Sequence, residues 1–130
     1  MKLVLLMLAV LIALGAWESL RHAWYRRRIG VRVHVNGSRG KSSVARLICA
    51  GLRAGGLRVV AKTTGSAAAV IHVDGTETPI RRRGAPNIRE QLAVFRQAAR
   101  ERCDALVIEC MAIRPDLQRV CERSIVHATH

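Results

Sequence analysis

The stretch VRVHVNGSRGKSSVARLICAGLRAGGLRVVA, residues 31–61, decides the fold. Val31, Val33 and Val35 alternate with Arg32 and His34, and the run ends at Asn36-Gly37, the pattern of a short strand entering a glycine turn. From Ser42 onward apolar side chains recur at Val44, Leu47, Ile48 and Leu52, which is helical spacing. Gly55-Gly56 supplies a C-terminal stop, and residues 57–61 read as a second strand. Strand, loop, helix and strand form one βαβ unit, so the expected fold is α/β, a parallel sheet flanked by helices. Arg32 and His34 are unusual residues for the depth of such a sheet, and the first strand is expected to be unevenly buried.

The loop inside that unit carries the chemistry. Gly37 and Gly40 let the backbone curl so that N–H groups point at an anion, with the positive end of the helix dipole behind them. Lys41 can set its ammonium against the β- and γ-phosphates of a nucleotide, and the Ser42 hydroxyl can ligate Mg²⁺. The general phosphate-loop pattern G-x-x-x-x-G-K-[ST] would place its first glycine at position 35, where this chain has Val35. Val35 reads instead as the last residue of the strand feeding a shorter loop. A serine-capped helix after an ordinary glycine turn is the plainer alternative. Nucleotide enzymes of this type also need an acid at the end of a neighbouring apolar strand. Glu109 has that setting after Ala105-Leu106-Val107-Ile108.

Between these landmarks the chain alternates extended and helical signals. Residues 69–80 carry Asp74-Gly75 between two extended runs, which predicts a hairpin with a two-residue turn. A basic loop, RRRGAP at residues 81–86, follows. Asn87 and Glu90 then form a capping box for a helix whose apolar stripe is Ile88, Leu92, Phe95 and Ala99. After the strand at residues 105–109, a short helix is expected over residues 115–121 and a further extended run over residues 124–127. His72 and His127 read as ordinary sheet residues. Three or four strands with two or three helices make about half of an α/β sheet, so the chain reads as an N-terminal piece of a larger domain.

Residues 3–17 are uncharged, about 22 Å of helix, and extension to Tyr25 adds Glu18, Arg21 and His22 at one end. Trp17, Trp24 and Tyr25 would form an aromatic belt. Arg21, Arg26, Arg27 and Arg28 lie behind the run and only Lys2 ahead of it, which puts the following domain in the cytoplasm. A cleaved secretory signal fits the same apolar run, but the arginine cluster and a nucleotide-using domain favour an uncleaved single-pass anchor in the cell membrane. The expected organisation is an anchor at residues 1–25 and a nucleotide domain from residue 29. The net charge of +13 fits anionic lipid, anionic substrates or nucleic acid. With no RNP aromatics, no Cys/His zinc spacing and no stacking platform, nucleic acid rests on charge alone. Cys49, Cys103, Cys110 and Cys121 contain no C-x-x-C and read as scattered buried thiols.

A G-x-x-G-K-[ST] loop without the earlier glycine resembles that of the Mur-ligase superfamily. HVNGSRGKSSVARLI, AKTTGSAAAVI, DGTETPIRRRGAPNIREQ and VIECMAIRPDLQ, in this order, resemble the ligase subunits of poly-γ-glutamate synthases within that superfamily. The resemblance runs from about Val33 to the end. It implies a Mur-ligase-like central ATP-binding domain, here incomplete, and an ATP-dependent acid–amino-acid ligase using ATP and Mg²⁺. Such an enzyme activates a glutamate γ-carboxyl as an acyl phosphate and joins it to the amine of another glutamate. Its partners would be glutamate, the growing poly-γ-glutamate chain, the membrane and other subunits of a membrane-bound synthase and export complex. By position, Gly37, Ser38, Arg39, Gly40, Lys41, Ser42 and Ser43 would be the ATP-binding loop, with Thr64 and Asn87 near the nucleotide. Lys41 and Glu109 would be catalytic, and Ser42 and Glu109 would hold the metal. Full-length members carry further strands and a C-terminal domain, so these 130 residues alone are expected to be inactive. Another Mur-type ligase, acting on folate or a cell-wall precursor, and a basic phosphate- or nucleic-acid-binding module without ligase activity remain the alternatives.

Overall fold

The computed structural model describes residues 1–65, 67–81, 84, 88–111 and 115–129. Helix α1 (Lys2–Arg28) precedes β1 (Val31–Val35), α2 (Lys41–Ala54), β2 (Val59–Thr63), β3 (Ala69–Ile71), β4 (Glu77–Pro79), α3 (Ile88–Arg100), β5 (Ala105–Glu109) and α4 (Pro115–Val120). A π-helical turn follows at Cys121–Val126. The sheet order is β1-β5-β2-β3-β4. β5 inserts between β1 and β2 and runs parallel to both, pairing Val33 and Ala61 to either side of Val107. β3 and β4 are antiparallel, so the five-stranded sheet is mixed and not wholly parallel.

Every residue of β5 is buried, because both faces of the sheet are covered. Ala105 and Val107 face α2 with Ala45, Cys49 and Ala61; the small side chains let the helix come close. Leu106 and Ile108 face the opposite way, toward Val94, Phe95 and Ala98 of α3 and Val126 of the π-helical turn.

Arg32 gains its place from position. β1 is a sheet edge, and its guanidinium collects carbonyls from two helix ends. Nη1 donates to the oxygens of Arg26 (3.1 Å) and Ile29 (2.6 Å) at the end of α1. Nε donates to those of Val126 (3.1 Å) and His127 (2.9 Å) at the end of the π-helical turn. A cation at two carbonyl-rich helix termini is favourable there.

Several local expectations are corrected. The second strand begins at Val59, not at residue 57, because the Leu57 N–H still donates to Leu52 O and closes the end of α2. The hairpin forms with a longer turn. The His72 N–H donates to Thr76 O, Gly75 N–H donates to His72 O, and among the turn residues Gly75 alone has a positive φ, +92°. This is the three-residue loop with a glycine bulge, which needs one left-handed residue where the two-residue turn needs two. Asp74 Oδ1 accepts from the N–H and the hydroxyl of Thr76 and holds the turn.

The stripe of α3 is rotated from the expected one. Gln91, Val94, Phe95 and Ala98 are buried, Leu92 is half-buried, and Ile88 is exposed. Phe95 also meets the His22 ring of α1 edge-on at 4.8 Å between centroids. The helix therefore serves two neighbours, the sheet and α1, and its apolar stripe points between them. Glu90 faces the Lys62 ammonium at 3.4 Å; the Asn87 half of the expected capping box lies outside the described residues. Residues 124–127 are not extended. They belong to the π-helical turn and its left-handed cap at His127 (φ +44°), and only at Thr129 does the chain run beside β1, its N–H donating to Arg32 O.

His72 is likewise no sheet residue. It follows β3, with Nδ1 2.5 Å from Glu101 Oε1 and Nε2 2.7 Å from Thr78 Oγ1. Glu101 Oε2 accepts from the Val73 N–H and Oε1 from Gln97, so one carboxylate ties the hairpin to α3. Burial works against ionisation of Glu101, but the hydrogen bonds from Val73, Gln97 and His72 together outweigh it and hold the carboxyl below its usual range.

Two outcomes follow for stability of the full chain in detergent. The Lys62 side chain has no solvent exposure and Glu90 has some, 17%. Glu90→Ala is therefore expected to cost about 3 kcal/mol in urea unfolding, more than Lys62→Met, which leaves a carboxylate able to reach water. Because the folded pKa of Glu101 is depressed, its contribution is complete above the ordinary glutamate value of about 4.3 and is lost as pH falls through the lower folded value. Glu101→Gln should remove that part of the acid sensitivity in a pH series of melting temperatures.

Candidate active site

The loop between β1 and α2 turns because Gly40, the N-cap residue just before α2, sits in the left-handed region at φ +73°. A Cβ there would meet no atom within 4 Å, so backbone conformation and not space requires glycine. The Asn36 carboxamide shapes the entry: its Oδ1 accepts from the Gly37 N–H at 2.8 Å, and its Nδ2 donates to Gln118 Oε1 on α4 at 2.9 Å. Lys41 lies back over the loop, its ammonium donating to Gly37 O at 2.8 Å. The first N–H groups of α2 have no carbonyl one turn earlier within the helix.

Opposite stands Glu109, the last residue of β5, the middle one of the three parallel strands, and 3% exposed. Its Oε2 accepts two short hydrogen bonds, from Ser42 Oγ at 2.6 Å and from the Thr64 N–H at 2.7 Å. A single carboxylate oxygen thus joins the start of α2, the segment after β2 and the end of β5. Burying a carboxylate is costly unless donors compensate it, and two are supplied here. Gly65 completes the contact. A Cβ at this position would stand 3.0 Å from Ser42 Oγ.

These groups border one open cleft of about 630 Å³ at the C-terminal ends of the parallel strands, where ligands bind in open α/β sheets. Asn36, Gly37, Ser38 and Lys41 line one side, Thr64 and Gly65 another, and Glu109, Cys110, Met111 and Gln118 the floor and far wall. Of the residues expected from sequence, Gly37, Ser38, Lys41, Thr64 and Glu109 line the cleft, Ser42 joins them through its hydrogen bond to Glu109, and Gly40 shapes the loop without lining it. Arg39 and Ser43 are exposed and do not line the cleft, and Asn87 lies outside the described residues. Thr63 is turned away into the sheet, its hydroxyl accepting from the Ala69 N–H. Sequence reasoning misses Asn36 and Gln118. The asparagine beside a glycine turn is a usable sign; nothing local marks Gln118, which reaches the loop from 82 residues away.

The arrangement can hold an anion between backbone N–H groups and an ammonium, with a hydroxyl and a carboxylate 2.6 Å apart beside it. Among the described residues no group of three or more His, Cys, Asp and Glu side chains is placed to hold a metal. Mg²⁺ needs no such cage: one carboxylate, a hydroxyl, phosphate oxygens and water suffice, and Ser42 with Glu109 are hard oxygen donors of that kind. The thiols do not compete for a chemical role. All four cysteines are buried, burial pushes Cys103 up to about 12, and Cys121 is pushed up by its hydrogen bond with Cys110 and by burial.

The fold and cleft define a class: an α/β domain with a strand–loop–helix unit whose lysine and serine stand with a buried acid at one cleft. Within that class the chain is 41% identical, over 120 residues, to the capsule biosynthesis protein CapB of Bacillus anthracis; the match covers 91% of this chain and 26% of that protein. It is 39% identical, over 130 residues, to the PGA synthase CapB of Bacillus subtilis (strain 168), covering 98% of this chain and 33% of that protein. The chain thus spans about a quarter to a third of the length of these curated relatives. No family model and no solved structure matches it.

Gly65→Ala tests the central contact. The new methyl must displace Ser42 from Glu109, and an expected loss of about 1–2 kcal/mol should shrink in a Ser42→Ala background, where the opposing oxygen is gone. A double-mutant cycle of urea unfolding in detergent measures that coupling.

Proposed function

We propose that the chain belongs with the CapB-type ligases and carries the nucleotide site of an ATP-dependent amide ligase for poly-γ-glutamate, with a Mur-ligase-like domain. The observation that carries this reading is the Ser42–Glu109–Thr64 contact at the mouth of the Lys41 loop, supported by similarity to CapB proteins over nearly the whole chain. PGA in the relative's name is read as poly-γ-glutamate.

In this reading the loop N–H groups from Gly37 to Ser43 cradle the phosphates of ATP, and Lys41 leaves Gly37 O to meet the β- and γ-phosphates. Ser42 and Glu109 would hold Mg²⁺, which when bound neutralises charge on the phosphates. Thr64 keeps Glu109 aimed through its backbone N–H. A γ-carboxylate oxygen of glutamate attacks the γ-phosphorus as the bond to ADP breaks. The amine of a second glutamate then attacks the acyl carbon, losing a proton as phosphate leaves, and an amide is formed. The residues of this chain bind and orient the phosphoryl donor, and preorganised charge is the main source of acceleration in such transfers.

α1 is long and apolar enough to cross a membrane by length and composition, and its apolar stretch is unburied. We read it as a single-pass anchor, with Arg21, Arg26, Arg27 and Arg28 keeping the domain on the cytoplasmic side. Glutamate, the growing polymer and further subunits of a membrane-bound synthase and export complex are the proposed partners.

Binding of ATP by the full chain in detergent with MgCl₂, followed by calorimetry, is the direct test. Lys41→Ala removes a charged donor worth about 1.5–3 kcal/mol and should weaken binding by about tenfold or more. Unchanged affinity would sink the nucleotide assignment. Glutamate-dependent release of ADP by the assembled synthase, abolished by the same substitution, tests the ligase step.

A further inference from the structure

We propose that Gln118 on α4 is a positioning residue for the nucleotide: acting through Asn36, it holds the phosphate loop in its binding shape before the ligand arrives. This inference rests on the nucleotide reading of the cleft and deepens it, because it brings in an element to which neither the loop nor the acid belongs.

The first observation is how little else holds the middle of the loop. Its two ends are fixed, since Val35 O accepts from the Cys110 N–H before it and Ser42 Oγ donates to Glu109 after it. Between them residues 36–40 are all exposed, and Gly37 and Gly40 have positive φ, +155° and +73°. Glycine has the most backbone freedom to lose, so two of them in five positions make an ordered loop costly in entropy. Lys41 does not tether the loop to the rest of the domain, because its ammonium bonds back to Gly37 O. Among the described residues, the side-chain hydrogen bond that joins residues 36–40 to another element runs from Asn36 Nδ2 to Gln118 Oε1, 2.9 Å.

The second observation is that one carboxamide makes both contacts. Asn36 Oδ1 accepts from the Gly37 N–H at 2.8 Å while its Nδ2 donates to Gln118. The amide group is planar, so fixing its nitrogen end fixes its oxygen end, and with it the direction of the peptide between Asn36 and Gly37. The other polar group of Gly37, its carbonyl, carries Lys41. Gln118, Asn36, Gly37 and Lys41 thus form one connected line, and all four border the cleft.

The third observation is that Gln118 is offered from a fastened element. It is half-buried, and three residues further on Cys121 is buried, with its Sγ 3.9 Å from Gln91 Nε2 of α3 and 3.9 Å from His34 Nε2 of β1. Val126, at the end of the same π-helical turn, packs in the core with Phe95. A brace already in place when the ligand arrives removes part of the ordering cost from the binding step, which is how preorganisation raises affinity.

The full chain in detergent with MgCl₂ is titrated with ATP and, separately, with sodium tripolyphosphate, each followed by calorimetry well below the melting midpoint. Gln118→Met keeps the length of the side chain and removes the oxygen acceptor. It is expected to weaken both ligands by the same factor, about threefold or more, the worth of one neutral hydrogen bond. Asn36→Ala should weaken both at least as much, and Asn36→Ala/Gln118→Met no more than Asn36→Ala alone. A merely structural role lowers the melting midpoint and leaves the affinity of the folded protein unchanged, and that result would overturn the proposal. So would losses that multiply in the double variant, or tighter binding in either single variant, which would make the carboxamide a competitor of phosphate. A loss confined to ATP overturns it as well, since Gln118 then meets the nucleoside and not the loop. If the wild-type chain binds neither ligand, the nucleotide reading fails and this inference falls with it. If Lys41→Ala weakens ATP and Gln118→Met does not, this inference alone fails.

Discussion

One carboxylate oxygen, Glu109 Oε2, is where three separate pieces of the chain meet. Ser42 and Thr64 both donate to it, and neither lies near it in sequence. The contact forms because β5 is laid between β1 and β2, so its end falls between the residues that follow the two strands beside it. The buried acid is stable there because its donors come from fixed elements: one from the first turn of a helix, one from a backbone amide. Remove the insertion of β5 and the loop, the threonine segment and the acid would have no common point.

The same insertion organises the packing. A strand buried on both faces needs a layer on each side, and α2 and α3 provide them with different side chains. α3 then has a second task, since the end of α1 lies against it. Arg32 locks this side of the molecule by gathering the carbonyl ends of α1 and of the π-helical turn onto the edge strand. An apolar helix suited to a membrane is thereby joined directly to the layer that backs the candidate site.

Much of this architecture is legible in the amino-acid sequence. The alternation of Val31, Val33 and Val35, the glycine loop, the helix after it and the apolar run before Glu109 each depend on neighbours in the chain and form as expected, but Val44 and Leu47 of the apolar spacing are exposed, and Ala45 and Cys49 are the buried residues of that helix. The buried thiols also appear as expected. The misreadings share a cause. Periodicity points the stripe of α3 at Leu92 and Ile88, because it does not say how many partners a helix has. Glu90 has the spacing of a cap, but a buried lysine from a distant strand claims it. His72 looks like a strand residue, yet the hairpin turn and Glu101 fix it.

By itself the sequence determined the βαβ unit, the loop with glycines at 37 and 40, the apolar segment at the N-terminus and the acid that follows a buried strand. These are set by local conformational preference and by the period of apolar residues. Only the tertiary structure decided that β5 lies between β1 and β2, that Ser42 and Thr64 share one oxygen of Glu109, and that α1 rests on α3. Those outcomes come from burial and hydrogen-bond satisfaction between segments tens of residues apart, which no local pattern records. Val35, at the place where a longer loop would have had its first glycine, shows both levels: it is the strand's last residue, and its carbonyl accepts from the Cys110 N–H just past the end of β5.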